Sequence, residues 1–209
     1  MVCCTAGALG GTAVISIIIG TENCERALVP TLSALVAGAA AGAVREVIIA
    51  DAGSTDATAN VADLAGCNLI VSKAPLATRL HEAAARARAP WLLFLRPGVV
   101  LDATWIDETS RFIERAELNG TPQARAAVFR RAPAVADARP LLLEALVMIK
   151  SALGGRPHPE QGLLIFKRLY DQLGGHRAGV FDTEADLLAR LGRKRTVMLR
   201  SGAAKVTEG

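Results

Sequence analysis

Four short stretches place residues able to do chemistry directly after an apolar run or at the start of a helix. GTENCE, residues 20–25, follows AVISIII; DAGSTDAT, residues 51–58, follows REVIIA; RPG, residues 96–98, follows WLLFL; and FDTEADLL, residues 181–188, opens a late helical pattern. Arg96 carries a planar fork of donors that matches a phosphate or a carboxylate at two points, so it is a candidate for holding an anion. Asp182 and Glu184 are carboxylates at a helix start. The helix dipole there favours them by about 0.3–1 kcal/mol each. Read bare, DAGSTDAT is a strand end with one carboxylate, a glycine turn and a Ser-Thr-Asp helix cap.

The elements that must position these residues alternate along the first half of the chain. AVISIIIG, REVIIADAG, NLIVSK and WLLFL read as strands, each short and almost wholly apolar. Between them ERALVPTLSALVA places Leu28, Leu32, Leu35 and Val36 at helical spacing, and STDATANVADLAG and ATRLHEAAARARA continue the pattern. Such alternation is the sequence form of an α/β fold, a mostly parallel sheet with helices on both faces. Ligands of these sheets bind beyond the carboxyl ends of the strands, where the strand order reverses. After Asp102 the spacing predicts a helix over residues 105–117, a strand at RAAVFRRA and a strongly apolar helix at PLLLEALVMIKSALGG. A strand at GLLIF and helices at KRLYDQLGG and DTEADLLARLG complete the chain.

With 209 residues, one domain is expected, its core aliphatic because 51% of residues are apolar and only 4% aromatic. Residues 1–13 read as a flexible leader without the basic start of a signal peptide. Residues 14–195 read as a single domain with a nucleotide-binding half (14–102) and an acceptor half (103–195), and residues 196–209 as a basic tail. The uncharged stretch 27–44 is expected to be a buried helix followed by a loop. Cys3, Cys4, Cys24 and Cys67 lack CxxC spacing and read as reduced thiols of a cytoplasmic protein, and the three scattered histidines predict no zinc site. From Arg190 onward six basic residues face only Glu208. They read as a solvated tail or as a patch for an anionic membrane surface, at about 1 kcal/mol per basic side chain. Nucleic acid is not an expected partner, since no aromatic residues interleave with these charges.

GTENCE and DAGSTDAT, in register after consecutive strands, resemble the loops of family 2 glycosyltransferases of the GT-A fold. There a motif like PTYNE follows the first strand and one like DDGSTDGT the second. ATRLHEAAARARAPWLLFLRPG resembles the family's helix and strand leading to its metal-binding DxD. PLLLEALVMIKSALGGRPHPEQGLLIFKRLYDQLGG resembles the later segment of small bacterial members. The likeness runs over residues 14–195.

That resemblance implies a GT-A fold, a Rossmann-like sheet, and transfer of a sugar from a nucleoside-diphosphate sugar. It places Thr21, Asn23 and Glu25 along the nucleotide and Asp51 at the base, beside the Gly53 turn, with Ala52 where the family has a second aspartate. Arg79 falls near the diphosphate, Glu160 and Gln161 at the acceptor-side pair, and Asp182 or Glu184 at the catalytic base. The DxD positions are Arg96 and Gly98, which cannot hold the magnesium or manganese ion of the family, so no metal ligand is assigned, and an atypical magnesium or manganese site is left open beside a metal-independent one. Arg96, helped by Arg79, replaces part of the metal's effect on this reading; on the alternative reading the fold binds a nucleotide or a partner without turnover. A nucleotidyltransferase is disfavoured because no glycine-rich, basic phosphate loop follows the first strand. The acceptor is unassigned; with the basic run, the apolar helix at 140–155 suggests a lipid-linked one at the inner face of a membrane, or a homodimer.

Overall fold

The computed structural model describes residues 14–132 and 157–206. Four strands, β1 (Ile15–Thr21), β2 (Val44–Asp51), β3 (Asn68–Val71) and β4 (Trp91–Leu95), run parallel in the order β3-β2-β1-β4. They are joined by α1 (Glu25–Ala40), α2 (Thr58–Leu64) and α3 (Leu76–Arg86). Because side chains alternate across a strand, each strand feeds two cores. Ile17, Ile19, Leu93 and Leu95 face Leu28, Leu35 and Trp105, whereas Ile18, Leu92 and Phe94 face Leu80, Ala83, Leu169 and Leu187. Burial on both faces is why these strands read as continuous apolar runs.

The sheet continues from β4 with a change of direction. β7 (Leu163–Phe166) pairs antiparallel with β4, and β6 (Ala126–Ala132) antiparallel with β7. β8 (Thr196–Lys205) then runs parallel to β6, and β5 (Val99–Leu101) closes the edge antiparallel to β8. The eight strands stand in the order β3-β2-β1-β4-β7-β6-β8-β5. α4 (Trp105–Leu118), α5 (Lys167–Gln172) and α6 (Thr183–Leu191) complete the described elements.

The stretch 27–44 is the helix α1, a turn and the first residue of β2, and among the described residues no helix is long and apolar enough to cross a membrane. The segment from residue 196 differs from the expected solvated tail. Its charges conceal a strand of small and apolar residues, with Leu199, Ser201, Gly202 and Ala203 buried between β6 and β5. Asp102 pins that strand, accepting from the Ser201 hydroxyl at 2.7 Å and from the Gly202 N–H while its Oδ1 also caps Thr104. The leader 1–13 and the apolar segment 140–155 lie outside the described residues.

One close approach fixes α1 against α4. At Gly38 an added Cβ would stand 2.3 Å from the Trp105 ring, which is buried and holds the Ala34 carbonyl through its indole N–H at 3.2 Å. Glycine to alanine inside a helix normally stabilises by about 0.5–1 kcal/mol, but overpacking a rigid ring costs about 1–3 kcal/mol. Gly38→Ala is therefore expected to lower the urea midpoint, and an unchanged or higher midpoint would show that the two helices are free to separate.

Candidate functional site

The loops after β1 and β2 are joined to each other. Asn23, at φ 44°, donates its N–H to the Ser54 hydroxyl at 2.9 Å and accepts from the Thr55 N–H at 2.8 Å. The Cys24 N–H reaches the Thr58 hydroxyl at 3.0 Å. Each acid then caps the other helix: Glu25 accepts from the Ala57 N–H at 2.8 Å before α2, and Asp56 accepts from the Glu25 N–H at 3.1 Å at the start of α1. Helix N-termini leave donors unsatisfied, and here they are satisfied in trans.

Asp51 is buried beneath this junction. Its carboxylate accepts from the Thr21 hydroxyl at 2.7 Å, the Ser54 hydroxyl at 2.6 Å, and the N–H groups of Gly53 and Ser54 at 2.8 and 2.7 Å. Burial pushes its pKa up, but the hydrogen bonds from Ser54, Thr21 and Gly53 outweigh it and hold the group below its ordinary value. Arg79 is only 4% exposed, and its guanidinium donates to the backbone carbonyls of Thr21, Ala50 and Ala74. It ties the ends of β1 and β2 to the start of α3. This differs from a place beside the diphosphate, because a charge in sequence does not disclose that its partners are carbonyls.

The open cleft lies elsewhere, at the carboxyl ends of β1 and β4, where the strand order reverses. It has a volume of about 580 Å³ and is lined by Gly20, the start of α3 at Pro75–Leu80, the end of β4 at Leu95–Pro97, and the loop 177–184. Arg96 lines it at the end of β4. The Nη2 group donates to both oxygens of Asp182 at 3.0 Å and Nε donates to Glu184. Of the sequence-assigned residues, Arg96, Asp182 and Glu184 meet here; Thr21, Asn23, Glu25, Asp51, Gly53, Arg79, Glu160 and Gln161 do not line the cleft. Gln161 donates to the Phe129 carbonyl at 2.7 Å and caps His158, and Glu160 accepts from Lys205 at 2.8 Å and Arg131 at 3.3 Å.

The two carboxylates on Arg96 differ in their surroundings, and their proton affinities move in opposite directions. Asp182 is the N-cap of α6, accepting from the N–H groups of Glu184 and Ala185 at 3.1 and 3.0 Å. Burial raises its pKa, but the Ala185 N–H and Arg96 more than compensate, leaving it below the usual value. Glu184 is 12% exposed at its side chain and has Arg96 as its one hydrogen-bond partner among the described residues, so burial dominates and holds its pKa above the ordinary 4.5. Burial also opposes the charge on Arg96, but Glu184 and Asp182 hold its pKa above the ordinary value.

Three features of the cleft escaped the sequence reading. Arg177 lines it beyond the two positive-φ glycines Gly174 and Gly175, and Val180 and Phe181 stand exposed at its lip. The signal available was the cluster of turn glycines around HRAGVF, which marks a loop at the sheet's carboxyl edge.

The residues at the strand end do not fit a divalent metal. Arg96 carries a guanidinium, and Gly98 takes φ 84° with its N–H bonded to the Ala27 carbonyl and the Thr31 hydroxyl; these are the two residues that the sequence reading set at the DxD positions. Among the described residues no group of three or more His, Cys, Asp or Glu is placed to hold a metal ion.

This mixed sheet, with its cleft at the β1/β4 switch point, is the GT-A glycosyltransferase fold. Residues 16–132 match the family described as Glycosyl transferase family 2, and the chain belongs to it. The fold is similar to that of glucosyl-3-phosphoglycerate synthase from Mycobacterium tuberculosis in complex with Mn2+, UDP and glucosyl-3-phosphoglycerate. That match has a TM-score of 0.62 at 18% identity, over 94% of this chain and 73% of that one. It is similar also to S. aureus TarS, with a TM-score of 0.65 at 14% identity, over 92% of this chain but 37% of that chain. TarS 1–349 in complex with UDP-GlcNAc gives 0.64 at 16%, over 94% and 59%. No curated protein matches the sequence.

Removing Arg96 leaves Glu184 buried without its counter-charge. A fully buried pair loses about 3–5 kcal/mol when one partner is deleted; Arg96 is 34% exposed, so Arg96→Ala is expected to cost about 1–2 kcal/mol at pH 7. A carboxylate whose folded pKa is raised withdraws stability as pH rises through that value, so the loss should shrink on acidification as Glu184 takes a proton. Adding Glu184→Gln should restore part of it at pH 7. Urea midpoints of the wild type and the two variants at pH 7 and pH 5 check this, and a loss independent of pH would contradict it.

Proposed function

We propose that the protein transfers a sugar from a nucleoside-diphosphate sugar to an acceptor hydroxyl in the cleft between β1, β4 and α6, with Arg96 serving where a metal would otherwise bind. The observation that carries this reading is the contact of Arg96 with Asp182 and Glu184 in the cleft. It joins, at the switch point of a family 2 glycosyltransferase, a cation for the leaving group and a carboxylate for the acceptor proton. UDP-glucose with Mn2+ and UDP-GlcNAc are bound by structures of the same fold, which supports a sugar nucleotide as donor.

In this reaction the acceptor oxygen forms a bond to the anomeric carbon. The bond from that carbon to the diphosphate breaks, its electron pair leaves on the diphosphate, and the acceptor proton passes to a carboxylate of the pair. Arg96 and Arg177 face the cleft where the leaving diphosphate's charge develops. One well-aimed donor is worth about 2.7–4 kcal/mol in such a site. The acceptor passes the exposed Val180 and Phe181, whose apolar surface suits an acceptor with an apolar portion beside its hydroxyl.

A second reading, binding of a nucleotide without turnover, is favoured by Arg96 already being occupied by two carboxylates. Calorimetric titration of UDP-glucose, UDP-GlcNAc and GDP-mannose, with Mn2+ or with EDTA, separates the possibilities. Binding is expected to be insensitive to EDTA and weakened about 10- to 100-fold in Arg96→Ala, the worth of a charged hydrogen bond. Binding that requires Mn2+ would contradict the assignment, and binding without release of nucleoside diphosphate in the presence of acceptors would select the second reading.

A further inference from the structure

Arg96 meets its two carboxylates through Nε and Nη2, and they are not held equally. Asp182 is fixed by the N–H groups of Glu184 and Ala185 as well as by the guanidinium. The Glu184 carboxylate has no hydrogen-bond donor other than Arg96 among the described residues. A diphosphate arriving in the cleft competes for the same planar fork, which pairs with phosphate oxygens as readily as with carboxylates. Asp182 keeps its helix cap in that competition; Glu184 has nothing else to keep it.

We propose that the donor's diphosphate displaces Glu184 from Arg96, so that donor binding converts Glu184 from an ion-pair partner into the proton acceptor, while Asp182 remains as a positioning residue that aims the guanidinium. The proposal rests on the transferase reading above and divides the roles of the two carboxylates. Before the donor binds, the base is neutralised by Arg96. Afterwards the same arginine stabilises the leaving group, and the freed carboxylate faces the acceptor's side of the cleft.

The charged and titratable groups around Glu184 are few. Arg96 approaches from β4, Asp182 from the cap of its own helix, Arg177 lines the same cleft, and His176 borders a small cavity beside it. Burial pushes the His176 pKa down to about 3, so this ring stays neutral. Displacement removes the Arg96 cation that stabilises ionised Glu184 and brings in negative charge, and both effects raise its proton affinity. Donor binding then takes up a proton where the pH lies below that raised pKa, and above it Glu184 stays ionised as the base, with a pKa nearer neutrality, where general-base catalysis is most effective.

The test is calorimetry of UDP-glucose, UDP-GlcNAc and GDP-mannose at about pH 6 in two buffers of different ionisation enthalpy, which reports the protons exchanged on binding. The diphosphate of a nucleotide sugar has no ionisation near neutrality, so any proton comes to the protein. Net proton uptake on donor binding is expected in the wild type and in Asp182→Asn, and none in Glu184→Gln, which should still bind. Binding without uptake, or uptake that persists in Glu184→Gln, overturns the proposal and leaves the transferase reading standing. Failure of all three donors to bind overturns that reading and this proposal with it.

Discussion

Arg96 leaves the end of β4 with its guanidinium between Asp182 and Glu184, and the cleft depends on that contact. It joins the parallel half of the sheet to α6 and so fixes one side of the cleft against another. A divalent ion at this place would bring twice the charge and would have to be recruited from solution. A guanidinium brings one charge and cannot dissociate. Its donors lie in one plane, which Asp182 and Glu184 hold here.

Around that contact the structure is a set of polar junctions that make the strand ends rigid. Asp51 gathers Thr21, Gly53 and Ser54, Arg79 gathers three carbonyls, and Glu25 and Asp56 cap each other's helices. Buried polar groups are costly unless they are paired, and these are paired throughout. Their effect on chemistry is indirect: they hold Gly20 and the start of α3 at the cleft edge, opposite Arg96.

The strands and helices of the first half were legible because each carries a strong period and ends in turn residues. β8 was not, since its basic residues suggest solvent while its buried ones are mainly small. What periodicity could not disclose was pairing. Arg96 and its carboxylates lie 86 and 88 residues apart in the chain, and nothing local says that they meet. The same gap explains Arg79 and Glu25, which the resemblance set beside the nucleotide and whose partners here are carbonyls and a backbone N–H. Arg177 and Phe181 lacked a motif and became visible only when the loop around Gly179 was seen to border the cleft.

The most direct measurement is a crystal structure of the protein grown with UDP-glucose and Mn2+, with anomalous data to locate manganese. The account expects diphosphate oxygens within hydrogen-bond distance of the Arg96 guanidinium, Glu184 turned away from it, and no manganese peak at the diphosphate. A manganese ion bridging the diphosphate, with Arg96 still held by Glu184, would contradict it.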